Sequence, residues 1–276
     1  YEIFDAKRSK IVLADWYCLK DPRQFYYATW TTTRARQQEA MEANFQFVEN
    51  RGMLAMIDSE VSDLALQVLL PLRHMAWGAN MNNASICAYG YGTAFTAPAM
   101  FHAMDNLGIA QYITRVGLIM GEAADLDAAK EAWLNQSHWQ GLRQLVEDSF
   151  VVADPFELFI AQNFCLDGLL YPLIYSQFIN KTLAQKGASS LALMTTFMTD
   201  WFDETSRWID SVVKRAANES AENKQLIQQW SQDWSARSLQ ALKPLAEVAF
   251  GADAVDALAL AKTALELRAQ KIGVSI

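Results

Sequence analysis

The stretch from Ala99 to Met120 constrains the fold most strongly, because its apolar side chains do not keep to one face of a helix. At about 100° per residue, Phe101, Leu107 and Ile113 point in three different directions. A helix that is apolar nearly all round is typical of the middle of a bundle. Its polar side chains must then find partners inside the protein or across an interface. They are His102, Asp105, Asn106, Gln111 and Arg115.

The composition favours an all-α fold and argues against several classes of partner. Apolar residues make up 52% of 276 residues, with only 12 Gly and 6 Pro, so long helices are expected. A net charge of -8 leaves no basic stripe for nucleic acid. The three cysteines form no CxxC pair, which suits a reducing cytoplasm. We expect no membrane span and no signal peptide, because even Leu64–Trp77 falls short of the ~18 apolar residues that a span needs.

The chain divides into an N-terminal arm, residues 1–31, and a single helical domain, residues 32–276. The arm has no helical period, yet it carries a dense group of aromatic side chains. Aromatic side chains at this density on an irregular segment indicate that the segment lies against something. Two alternatives stay open: the arm covers its own bundle, or it docks on another subunit.

Local signals place several helix boundaries. We expect a first helix from Thr33 to Arg51, a kink at Pro71, and a polar connection over Asp125–Gln140. The string Asp154–Glu157 predicts a helix start, with Asp at the N-cap, Pro at N1 and Glu at N3. The clearest amphipathic helix covers Leu191–Val213.

The sequence offers little support for a metal site. A di-iron site on four helices takes two lone carboxylates and two Glu-x-x-His pairs that point inward. The sequence contains no Glu-x-x-His pair, and in the central stretch Asn106 and Ile109 stand where the Glu and His of such a pair would fall. The remaining candidate metal set is His102, Asp105, Asp167 and Glu204.

That candidate set is weak, because Glu204 is expected to tilt outward from the amphipathic helix. The plainer interpretation is that His102 and Asp105 bond each other or a partner chain. Nucleophilic catalysis is not supported either, since no GxSxG motif occurs and no serine has a nearby His–acid arrangement.

A series of longer strings is more specific. Asp21–Tyr27 (DPRQFYY) precedes Thr33–Ala40 (TRARQQEA), and Leu70–His74 (LPLRH) leads into Gly78–Asn83 (GANMNN). The block His138–Val152 follows. In this order, the strings closely resemble the β subunits of the oxygenase components of bacterial multicomponent phenol hydroxylases, within the soluble di-iron monooxygenases.

The resemblance implies a ferritin-like, ribonucleotide-reductase-like helical bundle that lacks di-iron ligands. It implies a hydroxylase with two copies each of α, β and γ subunits, in which α holds the di-iron centre. A separate reductase would carry FAD and a 2Fe-2S cluster, and a small regulatory protein would also dock. The string Asp203–Trp208 keeps Glu204 but has Arg207 where a His would be needed. No catalytic and no metal-binding residue is therefore expected in this chain.

The leading prediction is a non-catalytic structural β subunit of a monooxygenase that hydroxylates phenol and methylphenols with O₂ and NADH. Two alternatives are an independent enzyme with a degenerate metal site and a free-standing helical interaction protein. The predicted interface residues are Trp16, Phe25, Tyr26, Tyr27 and Trp30 in the arm, and Arg73, His74 and Asn80 on the kinked helix.

Overall fold

The computed structural model describes residues 5–276, which form helices joined by short connections without any strand. The first four residues of the predicted arm lie outside this range. The α-helices are α1 (Tyr27–Asn50), α2 (Ser59–Leu69), α3 (Leu72–Tyr89), α4 (Thr93–Met120), α5 (Ala123–Asn135), α6 (Ser137–Ser149), α7 (Pro155–Leu183), α8 (Ser189–Met194), α9 (Thr196–Ala217), α10 (Ala221–Phe250) and α11 (Ala254–Lys271). The predicted all-α class is confirmed.

Helix α4 is the predicted central helix, and it packs along α3 more extensively than any other described pair of helices. Side chains as different as Phe95, Asp105 and Val116 are buried on it. One strip, which includes Leu107 and Leu118, is exposed in this chain by 37% and 51%. The central helix is therefore enclosed on most sides and leaves one apolar strip at the surface.

Helix α7 is the second interior helix. The Asp154 carboxylate caps it by accepting hydrogen bonds from the backbone N–H groups of Phe156 (2.9 Å) and Glu157 (3.3 Å), as the sequence predicted. Two of its segments, Ile160–Leu166 and Pro172–Leu183, are π-helical. The helix is long and apolar enough to cross a bilayer, but 94% of its most apolar window is buried in the fold. Its hydropathy is that of a core helix.

Several predicted helix bounds were wrong. The predicted amphipathic helix Leu191–Val213 is divided at Thr195 into α8 and α9. Helix α1 begins at Tyr27 rather than Thr33, because the Thr29 hydroxyl accepts the backbone N–H of Tyr26 (2.9 Å) and caps the first turn. Asp125–Gln140 is not a polar connection but contains most of α5 and the start of α6. Its apolar face is sparse, and Trp133 supplies much of its buried surface. The predicted kink at Pro71 is confirmed, since this residue separates α2 from α3.

The described part of the arm crosses the ends of helices far away in the sequence. The backbone N–H of Lys10 donates to Asp154 (2.7 Å), and the Asn223 side chain bonds both the N–H and the C=O of Val12 (3.1 and 2.8 Å). Ile11 and Trp16 are buried within the main hydrophobic core. The arm therefore covers its own bundle over these residues, and its division from the domain at residue 31 stays a proposal.

We expect Phe95→Ala to lower the free energy of unfolding by about 3–5 kcal/mol. Phe95 is fully buried, and its ring lies 5.3–6.2 Å from those of Trp16, Phe156 and Phe159, so it joins the arm to α7. Phe47→Ala makes the same change at a ring that is 49% exposed, and it should cost less than about 1 kcal/mol. Denaturant unfolding followed by circular dichroism measures both, and equal losses would contradict the assigned packing.

Candidate functional site

The functional question centres on Asp105, a buried carboxylate of α4 that is 4% exposed. Arg34 of α1 donates two parallel hydrogen bonds to it, Nε to Oδ1 and Nη2 to Oδ2, both 2.7 Å long. The indole N–H groups of Trp30 and Trp201 donate to the same two oxygens at 2.9 Å. Both oxygens of Asp105 are therefore held by donors from α1 and α9.

The same guanidinium also binds Glu204 of α9. Nη1 and Nη2 of Arg34 lie 3.0 and 2.9 Å from the two carboxylate oxygens. Arg23 of the arm approaches Glu204 at 3.4 Å and pairs with Asp21 at 2.9 Å. We call Asp21, Arg23, Arg34, Asp105 and Glu204 the ion-pair cluster.

The electrostatics of the ion-pair cluster favour a permanently charged guanidinium. Burial alone would lower the pKa of Arg34, but hydrogen bonds and charge from Asp105 and Glu204 outweigh burial and raise it. Glu204 does not tilt outward as predicted, since its side chain is 20% exposed and turned towards Arg34. His102 and Asp105 do not bond each other, because Asp105 is bonded to α1 and α9. The alternative, a bond to a partner chain, stays a prediction.

His102 lies one turn from Asp105 and is fully buried. Its Nδ1 is 3.4 Å from the hydroxyl oxygen of Thr205, and its Nε2 is 3.7 Å from Oδ2 of Asp167 on α7. Its ring centroid lies 4.7 Å from that of Trp201. Burial, together with the nearby charges of the two arginines, lowers its pKa well below the usual value, so the imidazole is neutral.

A layer of amides separates this histidine from α3. Asn83 and Asn163 exchange two side-chain hydrogen bonds of 3.0 and 2.8 Å across the bundle. Gln162 accepts from Asn82 (2.8 Å) and donates to Asp167 (2.9 Å). The polar side chains of α3 and α7 therefore hydrogen-bond one another and are not arranged around a shared ligand.

The residues at the degenerate positions do not fit a di-iron group, which takes four carboxylates and two histidines. Asn106 donates to the backbone C=O of His102 (2.9 Å), and Ile109 is fully buried and apolar. Glu204 is bound by guanidinium groups, and Arg207 is exposed. Within residues 5–276, no three side chains of His, Cys, Asp or Glu are placed to share a metal ion.

The predicted interface residues of the arm have different surroundings. Trp16 is 6% exposed and packs edge-on against Tyr91, so its own chain covers it. Trp30 is half-buried through its bond to Asp105. Tyr26 and Tyr27 are 63% and 69% exposed and remain available to a partner.

The face of Phe25 lies against the ion-pair cluster. Its ring centroid is 4.8 Å from the guanidinium carbon of Arg23 and 5.3 Å from that of Arg34. Its side chain is only partly exposed. Phe25 therefore covers the cluster from the arm side.

The predicted interface residues on α3 are anchored inside the chain by polar or stacking contacts. Arg73 donates to the C=O of Leu126 (2.6 Å), and Asn80 donates to that of Ala103 (2.7 Å). His74 stacks on Trp133, and burial together with the charge of Arg73 lowers its pKa to about 4.

An exposed groove runs between α3 and α4 beside Arg73 and His74. It encloses about 500 Å³, and we call it the α3–α4 groove. Its lining is mainly apolar and includes Trp77, which is 54% exposed. The groove residues used below are Arg73, His74, Trp77, Leu107, Arg115 and Leu118.

The sequence reasoning missed Arg23 and Arg34 as partners of the inward carboxylates. A signal was present, because a buried Asp on an interior helix needs a cationic or multiple-donor partner. Both arginines lie in the strings Asp21–Tyr27 and Thr33–Ala40, which served only for the resemblance. No pattern within the chain connects position 34 to position 105, so the pairing needed the structure.

Comparison with solved structures defines the class of protein first. The fold is a ferritin-like helical bundle: it superposes on the ribonucleotide reductase R2 subunit from Clostridium botulinum with a TM-score of 0.65 at 14% identity, covering 94% of this chain and 86% of that one. It matches phenol hydroxylase from Pseudomonas sp. OX1 with a TM-score of 0.93 at 38% identity, covering 99% and 83%.

Sequence relatives then define the family. The family model described as Methane/Phenol/Alkene Hydroxylase matches residues 1–220. The phenol 2-monooxygenase oxygenase component DmpL of Pseudomonas sp. (strain CF600) is 44% identical over 99% of this chain and 82% of that protein. The toluene-4-monooxygenase hydroxylase component subunit beta of Ectopseudomonas mendocina is 21% identical over 80% and 68%. The chain belongs to the methane/phenol/alkene hydroxylase family of di-iron monooxygenases, as the resemblance predicted.

We expect Arg34→Met to destabilise the chain by about 3–5 kcal/mol, because it leaves Asp105 buried without its cation. Arg237→Met is the matched control, since Arg237 pairs with Asp148 at 2.6 Å while both side chains are more than 40% exposed. That substitution should cost less than about 1 kcal/mol. Thermal unfolding measures the stability of both variants. If Arg34→Met is as stable as wild type, the ion-pair cluster does not contribute to the stability of the fold.

Proposed function

We propose that this chain is the non-catalytic structural β subunit of the oxygenase component of a multicomponent phenol hydroxylase. One observation carries the proposal: where the fold could place inward iron ligands, Asn106 and Ile109 stand on α4, and a guanidinium group holds the carboxylates Asp105 and Glu204. The name of the Ectopseudomonas relative, a hydroxylase component subunit beta, supports the assignment.

The proposed assembly contains two copies each of α, β and γ chains and lies in the cytoplasm. Its α subunit would hold the di-iron centre, which supplies the oxygen chemistry that hydroxylates phenol or a methylphenol. NADH would deliver electrons through a reductase with FAD and a 2Fe-2S cluster, and a regulatory protein would dock on the complex. This chain would contribute a rigid helical body and apolar contact surface.

We further propose that the α3–α4 groove is the contact with the catalytic chain. Trp77, Leu107 and Leu118 give it an apolar centre, and aromatic anchors of this kind dominate binding energy in interfaces. Arg73 gives its edge a positive charge on a chain whose net charge is -8, whereas the guanidinium of Arg115 is paired with Glu42. An acidic side chain of the catalytic chain would complement Arg73 at this edge.

The exposed aromatic side chains of the arm supply a second proposed contact. Tyr26 and Tyr27 project from the first turn of α1, immediately beside the ion-pair cluster. A partner that covers them would also shield the cluster from water. The second β chain remains a proposed partner for the faces that these two surfaces leave free.

Trp77→Asp should reduce recovery of the oxygenase complex by roughly tenfold or more, because it places an acid at the centre of the proposed contact. Leu260→Asp is the matched control: Leu260 is an apolar α11 side chain that is 60% exposed. Affinity purification of a tagged chain, co-expressed with its α and γ partners, measures both. Circular dichroism of each variant checks its folding, and full recovery with Trp77→Asp would remove the groove from the proposal.

The purified chain alone should bind far less than one iron per molecule and should not hydroxylate phenol. Elemental analysis and a hydroxylation assay test this, with the complete complex as the positive control. Stoichiometric iron with turnover would instead support an independent enzyme. A stable monomer that has no influence on recovery of the catalytic chain would support a free-standing interaction protein.

A further inference from the structure

Two polar atoms face each other inside the bundle without a hydrogen-bond partner. They are Nε2 of His102 and Oδ2 of Asp167, which lie 3.7 Å apart. Both side chains are 0% exposed. A fully buried and unpaired polar atom is costly, and here two of them point at one another.

The contacts of the pair restrict where its hydrogens can lie. If His102 carried its proton only on Nδ1 while Asp167 were a carboxylate, two lone pairs would face each other in a fully buried site. A doubly protonated imidazole is disfavoured because the pair is buried close to the cations Arg23 and Arg34. A carboxylate facing Nε2–H would bury a charge whose described hydrogen bond comes only from Gln162, at 2.9 Å.

The nearest cation on the other side does not neutralise Asp167 by direct contact. Arg268 of α11 uses its Nε to bind Asp210 at 2.6 Å, and its guanidinium lies over the ring of Phe164 at 5.2 Å. No hydrogen bond joins Arg268 to Asp167 within the described contacts. A proton is therefore the simplest neutralising partner for this carboxylate.

We propose that His102 and Asp167 form a buried proton-binding site in which neutral Asp167 turns its O–H towards Nε2 of neutral His102, 3.7 Å away. The Nδ1–H of His102 then donates to the hydroxyl oxygen of Thr205. When the site loses its proton to solvent, the remaining imidazole hydrogen moves to Nε2 and faces the carboxylate, and the Thr205 hydroxyl turns to donate to Nδ1. The exchange releases one proton to solvent and changes no other covalent bond.

Burial decides which group of the site titrates near neutrality. Burial raises the pKa of Asp167 to about 7, against the smaller opposite influences of Gln162 and Arg268. Burial also raises the pKa values of Tyr171 and Tyr175, which therefore stay neutral. The charged and titratable groups around the pair are Arg23 (arm), Arg34 (α1), Asp105 (α4), Tyr171 and Tyr175 (α7), and Arg268 (α11). Glu204 of α9 lies behind them, paired with Arg23 and Arg34.

The site makes folding take up a proton. The pKa of Asp167 is about 7 in the fold, against about 3.9 for an unfolded Asp, so the native state binds one more proton in the window between them. The unfolding equilibrium constant should therefore rise by up to about tenfold per pH unit across this window and level off above it. Asp167→Asn keeps the shape of the side chain and should remove this one-proton contribution from the slope.

Infrared difference spectroscopy provides the direct test. The spectrum of the complete oxygenase complex with Asp167→Asn is subtracted from that of the wild-type complex. We expect the C=O stretch of a protonated carboxylic acid at about pH 5.5 and its loss by about pH 8.5. Asp203→Asn, at an exposed carboxylate on α9, is the control and should leave the band unchanged. In Asp167→Asn, but not in Asp203→Asn, the pH dependence of the free energy of unfolding should correspond to one proton fewer.

The outcomes separate this site from the function proposed above. Absence of the band at every pH, in a complex without metal at the pair, would overturn the proton site and leave the structural role intact. A metal ion that is bound in wild type and lost from Asp167→Asn would overturn both. If Asp167→Asn fails to fold, Thr205→Val offers a second variant: it should keep the band but shift its titration, and an unshifted titration would contradict the described bond.

Discussion

The salt bridge from Arg34 to Asp105 and Glu204 is the interaction on which the rest of the bundle depends. One planar guanidinium satisfies two carboxylates from different helices, with four hydrogen bonds of 2.7–3.0 Å. Lysine could not replace it, because a compact ammonium lacks the fork that binds both oxygens of a carboxylate at once. The geometry fixes how α1, α4 and α9 approach one another, and the arm joins through Arg23.

Within residues 5–276, protein groups compensate the charge of the interior carboxylates Asp105 and Glu204. In a four-helix iron site the inward carboxylates are compensated by metal ions. Here the guanidinium of Arg34 compensates the carboxylates of α4 and α9, and amide pairs join α3 to α7. The proposed proton neutralises the carboxyl group of Asp167 on α7. The same scaffold can thus keep a polar interior while its outer faces serve as contact surface, which is the role proposed for it here.

The sequence predicted what depends on local pattern and missed what depends on distant pairing. The all-α class, the Asp154 cap and the buried stripe of α9 with Trp201 and Trp208 follow from composition and helical spacing. Asp105 could be recognised as an interior acid in need of a partner. Its pairing with Arg34 spans 71 residues and has no periodic signature, so residue type alone could not reveal it. The outward tilt assigned to Glu204 failed for the same reason, since its orientation is set by that guanidinium.

The attachment of the arm has a consequence for the order of events during synthesis. Val12 bonds to Asn223 across 211 residues, so its partner leaves the ribosome roughly 10–40 s later, at about 5–20 residues per second. Until then the apolar side chains of Ile11 and Trp16 have no completed surface to cover. The apolar side chains of this segment therefore stay exposed on the nascent chain until Asn223 has been synthesised. Chaperones that shield such segments, or an early encounter with a companion subunit, would govern how much of the chain reaches the native state.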